Sequence, residues 1–139
     1  RMSNVLAGIG RGQLKVLDER IAKKKYIFEY YKRELANLEG IQFMPVNDWN
    51  EPNYWLSCIL LKGAVRPLDV ILALEIENIE SRPLWKPMHM QPFFEKYDYV
   101  GAHVAEDLFE NGICLPSDTK MTDDDLVRVT KIIKGLWSK

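Results

Sequence analysis

The 139-residue sequence has only two cysteines and two histidines, which limits the metal and disulfide chemistry available to it. A structural zinc site needs about four ligands, and neither His89 nor His103 has a second ligand at helical or turn spacing. Cys58 and Cys114 each lie in an apolar run, which favours small buried side chains in a reducing compartment over a disulfide or a metal site. We therefore expect a cytoplasmic protein without a metal centre.

The sequence also lacks an excess of charge of either sign, with 19 basic and 20 acidic residues and a net charge of −1. Proteins that bind nucleic acid or an anionic membrane surface through general charge carry a strongly basic face. No apolar run approaches the roughly 20 residues of a membrane span. Neither a nucleic-acid partner nor a membrane is expected, and the length fits one globular domain.

Residues 3–38 carry the strongest helical periodicity in the chain. Three glycines at positions 8, 10 and 12 weaken its first part by about 1 kcal/mol each relative to alanine, so one long helix or two helices fit the pattern. Gly40 is expected to end the helix as a C′ glycine. The predicted inward face comprises Leu14, Leu17, Ile21, Phe28, Tyr31, Leu35 and Leu38.

The remaining elements alternate between strand-like and helical patterns. Predicted strands cover 41–44, 54–62, 79–84 and 113–115, and the aromatic and branched residues of 54–62 favour a central strand. Predicted helices cover 67–78, 102–110 and the segment that Thr122 caps. The order helix–strand–strand–helix–strand–helix–strand–helix favours an α+β fold, an α/β sandwich. We expect a small antiparallel or mixed sheet with helices packed on one face.

Two segments invite a functional interpretation. The glycines around Arg11 lack the spacing of a dinucleotide-binding loop and favour close helix packing, which leaves Arg11 as a weak anion-binding candidate. The loop Trp85–Phe94 combines aromatic walls with a few polar side chains, which is typical of a small-molecule site and equally of a loop that seals a core. No G-x-S-x-G sequence occurs, and neither cysteine has an activating base nearby. No catalytic residue is predicted.

Three motifs in register carry a resemblance to a known family. The segment Arg1–Gln13 resembles the segment that follows the G-Y-N-Y stretch in the DegT/DnrJ/EryC1/StrS sugar aminotransferases. In that family it is followed, as at Leu17–Lys24 here, by a long helix of the form L-D-x-R-I-x-x-K. Ser81–Pro92 resembles that family's R-x-x-W/F-x-P-x-H-x-Q-P loop. Asn111–Ser117, with Met121–Leu126 after it, resembles the closing L-P-S…L-T-x-x-D signature. The amino-acid sequence of this loop most resembles that of the same loop in family members that act at C4 of nucleotide-linked 4-keto sugars.

The resemblance implies the small domain of a fold-type-I aminotransferase. In that family pyridoxal phosphate forms a Schiff base with a lysine upstream of the segment that Arg1 opens. Residues 1–139 would then be the C-terminal small domain, including an interdomain helix (about 1–39), of a longer protein, with the cofactor-binding large domain absent. The chain begins with Arg1 rather than methionine, which fits that expectation. By itself it would bind no cofactor and be inactive.

The resemblance also implies substrates and partners. The parent enzyme would be a homodimer that transfers an amino group from glutamate to a nucleotide-linked 4-keto sugar, with a UDP-sugar favoured and a GDP-sugar as the alternative. Trp85 would line the pocket with three polar neighbours in the loop. Arg82 would anchor the loop or meet a phosphate, and Arg11 would add charge near the diphosphate. The full set of implied substrate-binding residues is Arg1, Arg11, Arg82, Trp85, Lys86, His89 and Gln91.

Other classes of function stay open on the sequence alone. The chain could serve as a stand-alone ligand- or partner-binding module that uses the Trp85–Phe94 loop, or as a dimerisation domain. If it is part of a larger enzyme, the helix around Leu6–Leu17 should expose apolar surface that another part of the protein covers.

Overall fold

The computed structural model describes residues 2–138, so Arg1, one of the implied substrate-binding residues, lies outside the described residues. The elements follow the predicted order, with the first helical segment divided into two helices. They are α1 Asn4–Leu14, α2 Leu17–Leu35, β1 Ile41–Phe43, β2 Ser57–Leu61, α3 Pro67–Ile76, β3 Arg82–Pro83, a turn of 3₁₀ helix at Met88–Met90, α4 Val104–Asn111, β4 Gly112–Leu115 and α5 Asp123–Gly135.

The four strands form one antiparallel sheet in the order β1-β2-β4-β3. This confirms the antiparallel alternative and the central place of the second strand. Side chains of β2 alternate between the faces of the sheet. Ser57, Ile59 and Leu61 are buried on one face, and Cys58 and Leu60 are partly exposed on the other.

The core lies between the sheet and the three helices α2, α3 and α5. α2 and α5 each contribute an apolar stripe, as their periodicity predicts, whereas α3 is apolar on both faces and buries Pro67, Val70 and Leu74. On α5 the stripe begins after a capping box, in which the Thr122 hydroxyl accepts from the Asp125 amide at 3.2 Å and the Asp125 carboxylate accepts from the Thr122 amide at 2.8 Å. The α+β fold with these helices on one face is confirmed. The fully buried residues of the core include Ile27, Tyr31, Leu35, Ile59, Leu61, Val70, Leu74, Ile113, Leu126 and Ile133.

The short helix α4 approaches the opposite face of the sheet. Lys62 follows β2 and continues the alternation on the side of Cys58 and Leu60. Its Nζ donates to the Asp107 carboxylate of α4 at 2.6 Å. Asp107 also accepts from the amide of Asn111 at 2.9 Å, so the end of α4 is tied to the sheet.

Two details of the first helical segment differ from the prediction. The chain turns at residues 15–16, and Leu14 and Leu17 are exposed instead of facing the core. Their periodicity is real, but none of the described residues packs over that end of the stripe. Gly40 does not act as a C′ glycine, because α2 already ends at Leu35. Its positive φ of 79° instead turns the chain into β1 beside Gly63, whose backbone nitrogen would lie 2.8 Å from an added Cβ.

The third predicted strand is shorter than expected. Only Arg82 and Pro83 pair with β4, and Pro83 cannot donate to a ladder, which suits an edge strand. α4 runs into β4 without a connecting residue, at Asn111 and Gly112. A Cβ on Gly112 would lie 2.3 Å from the Leu108 carbonyl oxygen, so the junction requires glycine. Between residues 2 and 138, no helix combines the length and apolar composition of a membrane-spanning segment.

Two leucines of α3 test the placement of the core. Leu74 is 0% exposed and Leu68 is 61% exposed. Leu74→Ala removes buried methyl groups and leaves a cavity, and we expect it to lower the free energy of unfolding by about 2–5 kcal/mol. Leu68→Ala is the matched control and should change it by no more than about 0.5 kcal/mol. Urea unfolding followed by circular dichroism measures both, and equal losses would contradict this core.

Candidate functional site

The loop Trp85–Phe94 is held to α4 through His89. The Nε2 atom of His89 lies 2.8 Å from a carboxylate oxygen of Glu106, and its side chain is only 18% exposed. The imidazole also stacks on Tyr99, with ring centroids 3.7 Å apart and planes inclined by 16°. His89 is therefore packed against the protein on one face and hydrogen-bonded at one end, which fixes the middle of the loop.

Glu106 joins two histidines. Its second carboxylate oxygen contacts Nδ1 of His103, which precedes α4. The His103 side chain is 91% exposed and makes no capping hydrogen bond to the helix. The hydrogen bond and charge of Glu106 raise the pKa of His103 above its usual value. Hydrogen bonds from His103 and then His89 lower the pKa of the Glu106 carboxyl.

The polar side chains at either end of this loop differ in their surroundings. Gln91 bends back into the loop, where its amide donates to the Lys86 carbonyl at 3.3 Å and contacts the Met88 sulfur at 3.5 Å. This contact braces the loop from within. The Lys86 side chain is exposed to solvent.

Trp85 and Arg82 lie at an open cleft on the face of the sheet opposite the core helices. The cleft has a volume of about 530 Å³, within the range of small-molecule sites. Trp55 and Trp85 line it, and both indole side chains are mostly exposed. Cys114 lines it from β4, and Arg82 pairs in register with Cys114. The Arg82 guanidinium is held by Glu80, with Nε donating at 2.7 Å.

The predicted site residues therefore fall into separate places. Trp85 and Arg82 border the cleft just described, whereas His89 borders a second, aromatic cleft with Phe93 and Tyr99. Arg11 lies on α1 and borders a third cleft, whose lining is largely apolar. The structure brings Arg82 and Trp85 to one cleft and joins Gln91 to the Lys86 carbonyl, whereas His89 and Arg11 border other clefts.

Two contributors were missed from the sequence. Trp55 lies next to Tyr54, which is buried against Phe28 at a centroid distance of 4.7 Å and has a φ of 50°. This local turn presents Trp55 outward, and only the adjacent pair of aromatic residues could have signalled it. Glu106 is 17 residues from His89, and no short motif links them.

Comparison with known proteins identifies the family to which the chain is similar. The sequence profile of the DegT/DnrJ/EryC1/StrS aminotransferase family matches residues 1–134. The chain is 45% identical over 142 residues to the Bacillus subtilis (strain 168) protein named "Putative pyridoxal phosphate-dependent aminotransferase EpsN". It is 33% identical over 141 residues to the GDP-perosamine synthase of Vibrio cholerae. Each match covers 99% of this chain but 36% and 38% of the relatives, so the chain spans little more than a third of their length.

Solved structures show the same fold. DesV from S. venezuelae superposes with a TM-score of 0.89 at 18% identity, over 100% of this chain and 38% of that one. A DegT/DnrJ/EryC1/StrS aminotransferase from Brucella abortus gives a TM-score of 0.85 at 20% identity, over 100% of this chain and 37% of that one. The resemblance drawn from the three motifs is confirmed by these matches.

The described residues do not fit a resident pyridoxal phosphate. Schiff-base formation needs a lysine whose amine is unprotonated, which proteins arrange by burial or by a neighbouring cation. Among residues 2–138 no lysine is buried, and Lys62 and Lys134 are instead paired with Asp107 and Glu34. No step of cofactor chemistry is therefore assigned to this chain.

The contact between Glu106 and His103 should be strongest in a window of acidic pH. The raised pKa of His103 contributes stability that is full below its usual value of 6.5 and is lost as the pH rises through the higher folded value. The lowered pKa of Glu106 contributes stability that is present above its usual 4.5 and is lost as the pH falls through the lower folded value. We expect Glu106→Gln to lower the pKa of His103 in an NMR titration.

Glu110→Gln is the matched control, because Glu110 lies on the same helix and is exposed. It should leave the His103 titration unchanged. A His103 curve that is the same in the wild type and in Glu106→Gln would show that this contact does not form in solution.

Proposed function

Since the chain belongs to the DegT/DnrJ/EryC1/StrS aminotransferase family, we propose that it forms the C-terminal small domain, with an interdomain helix at about 1–39, of a cytoplasmic pyridoxal-phosphate-dependent aminotransferase. The parent enzyme transfers an amino group from glutamate to a nucleotide-linked 4-keto sugar. The observation that carries this proposal is the family match over residues 1–134, combined with a chain about a third as long as its relatives.

Names of relatives support a nucleotide-sugar substrate. Proteins from Escherichia coli O157:H7, Vibrio cholerae and Caulobacter vibrioides that match this chain are named GDP-perosamine synthases. Another from Escherichia coli is named dTDP-4-amino-4,6-dideoxy-D-glucose transaminase. We favour a UDP-sugar as the substrate because of the amino-acid sequence of the Trp85–Pro92 loop, and a GDP-sugar is the alternative.

The surface of α1 supports the assignment to a larger protein. Its apolar side chains are more than half exposed, which is unusual for a contiguous stripe on a self-sufficient domain. No heavy atom lies within 4 Å of a Cβ placed on Gly8, Gly10 or Gly12, so another backbone could approach closely. We propose that the large domain or the second protomer of a homodimer covers this stripe. It comprises Met2, Val5, Leu6, Ile9 and Leu14.

The cleft between Trp55 and Trp85 supplies half of a substrate pocket in this proposal. A nucleotide sugar offers an aromatic base and a sugar ring that indoles can stack against, and a diphosphate that arginine can bind in a bidentate manner. Arg82 is placed at that cleft and would exchange Glu80 for a phosphate oxygen. The exposed Lys86 adds a cation to the same loop.

The other implied substrate-binding residues either hold the loop in shape or lie outside the cleft. His89 holds the loop in shape through Glu106, and Gln91 does so through the Lys86 carbonyl. In this proposal both would also contact the substrate, from the side of the aromatic cleft that His89 borders. Arg11 would contribute charge from α1. Arg1, outside the described residues, would bind a carboxylate or phosphate across the dimer. The amino-group chemistry of the cofactor belongs to the rest of the enzyme, and this chain alone is inactive.

Replacement of Trp85 tests the proposed pocket in the complete enzyme, with glutamate as donor and UDP-, GDP- and dTDP-linked 4-keto sugars as acceptors. Trp85→Ala should raise the KM for the preferred sugar nucleotide about tenfold, because an aromatic ring stacked on a base contributes about 1–3 kcal/mol. The kcat should change little. Trp49→Ala is the matched control, since Trp49 is 82% exposed and does not line the cleft.

A Trp85→Ala enzyme with the KM of Trp49→Ala would remove the cleft from the substrate pocket. A complete enzyme that aminates none of the three acceptors would overturn the proposed reaction itself.

Incubation of residues 1–139 with pyridoxal phosphate tests the division of labour. We expect no absorbance band of a lysine-linked aldimine that glutamate can discharge, because no described lysine is buried. The complete enzyme serves as the positive control. A lysine adduct of the isolated chain that supports transamination would contradict the assignment.

A further inference from the structure

The two cysteines of the chain face each other across the centre of the sheet. Cys58 of β2 pairs directly with Cys114 of β4 in the antiparallel register. Their sulfur atoms lie 3.5 Å apart, and both side chains are partly exposed. They lie on the face opposite the core helices, so neither thiol is part of the core that holds the fold together.

The open cleft gives this pair access to small molecules. Cys114 lines the cleft between Trp55 and Trp85, and Arg82 is its register partner on the other side. Cys58, Cys114 and Arg82 therefore form one row across three strands, on the same face of the sheet. A reagent that enters the cleft reaches Cys114, and the Cys58 sulfur lies 3.5 Å from the Cys114 sulfur.

The geometry of the pair is compatible with a covalent bond. Residues directly opposite in antiparallel strands have Cα atoms about 4.5–5.5 Å apart, which falls within the range of about 4.4–6.8 Å for disulfides. The two sulfur atoms need to approach from 3.5 Å to about 2 Å, which rotation of the side chains can provide. No change in strand register is required.

We propose that Cys58 and Cys114 form a redox-active dithiol that a low-molecular-weight disulfide of the glutathione class converts into an intramolecular disulfide. One cysteine thiolate attacks the small disulfide, forms a mixed disulfide and releases one equivalent of the small thiol. The second thiolate attacks the mixed disulfide, closes the Cys58–Cys114 bond and releases the second equivalent. The two cysteines are oxidised, the small disulfide is reduced to two thiols, and the cysteine protons pass to solvent and to the released thiolates.

The chemical setting makes this pair a slow sensor rather than a fast catalyst. Burial, and then the neighbouring Cys114, raise the pKa of Cys58 to about 12, so little thiolate forms at neutral pH. A reducing compartment keeps the pair as thiols, and a sustained oxidising shift closes it. Closure would link β2 to β4 beside the cleft. This inference stands apart from the proposed substrate and does not depend on it.

The test uses the complete protein, incubated with oxidised glutathione, unfolded, alkylated with iodoacetamide and digested for mass spectrometry. We expect a crosslinked pair of peptides containing Cys58 and Cys114, lighter by two hydrogen atoms than the reduced peptides, with loss of alkylation at both positions. Dithiothreitol should restore both. In Cys114→Ser the second step is impossible, so Cys58 should end as a glutathione adduct or an alkylated thiol, and Cys58→Ser should behave likewise at Cys114.

The wild-type measurement stands even if a variant folds poorly. Two stable glutathione adducts on the wild type, two thiols that stay alkylatable, or a crosslink from either cysteine to a different partner would each overturn the proposal.

Discussion

The alternation of β2 is the constraint on which the rest of the structure depends. It pairs with β1 on one side and β4 on the other, so every strand is positioned directly or through it. Its inward residues, such as Ile59 and Leu61, meet the three core helices. On the other face Cys58 contacts Cys114, which lines the cleft, and Lys62, the residue after β2, ties α4 to the sheet. The strand therefore has the core on one face and, on the other, a cysteine paired with Cys114 of the cleft.

The order of elements, the central strand and α5 could be predicted because they depend on local chemistry. Thr122 and Asp125 form their capping box within four residues, and the stripe of α5 has a period that leaves little choice of face. Leu14 and Leu17 show where this reasoning stops. Periodicity tells which side chains share a face, but whether anything covers that face depends on parts of a protein that the pattern does not contain.

The candidate site was predictable as a loop but not as an arrangement. Its prolines exclude regular structure, so no period indicates which way each side chain points. His89 is directed by Glu106 and Tyr99, and these contacts only become visible in three dimensions. As a result Trp85 and His89, only four residues apart in the sequence, border different clefts. The roles of the seven implied substrate-binding residues stay predictions.

The direct junction of α4 with β4 fixes which side chains of the strand face the core once the helix is in place. Asn111 ends the helix and Gly112 begins the strand, so no spacer can absorb a change in length. One residue added there would reverse the alternation of β4 and turn Ile113 and Leu115 out of the core. Related proteins that share this fold should therefore vary freely in the length of the loop before α4. The number of residues between α4 and β4 should hardly vary.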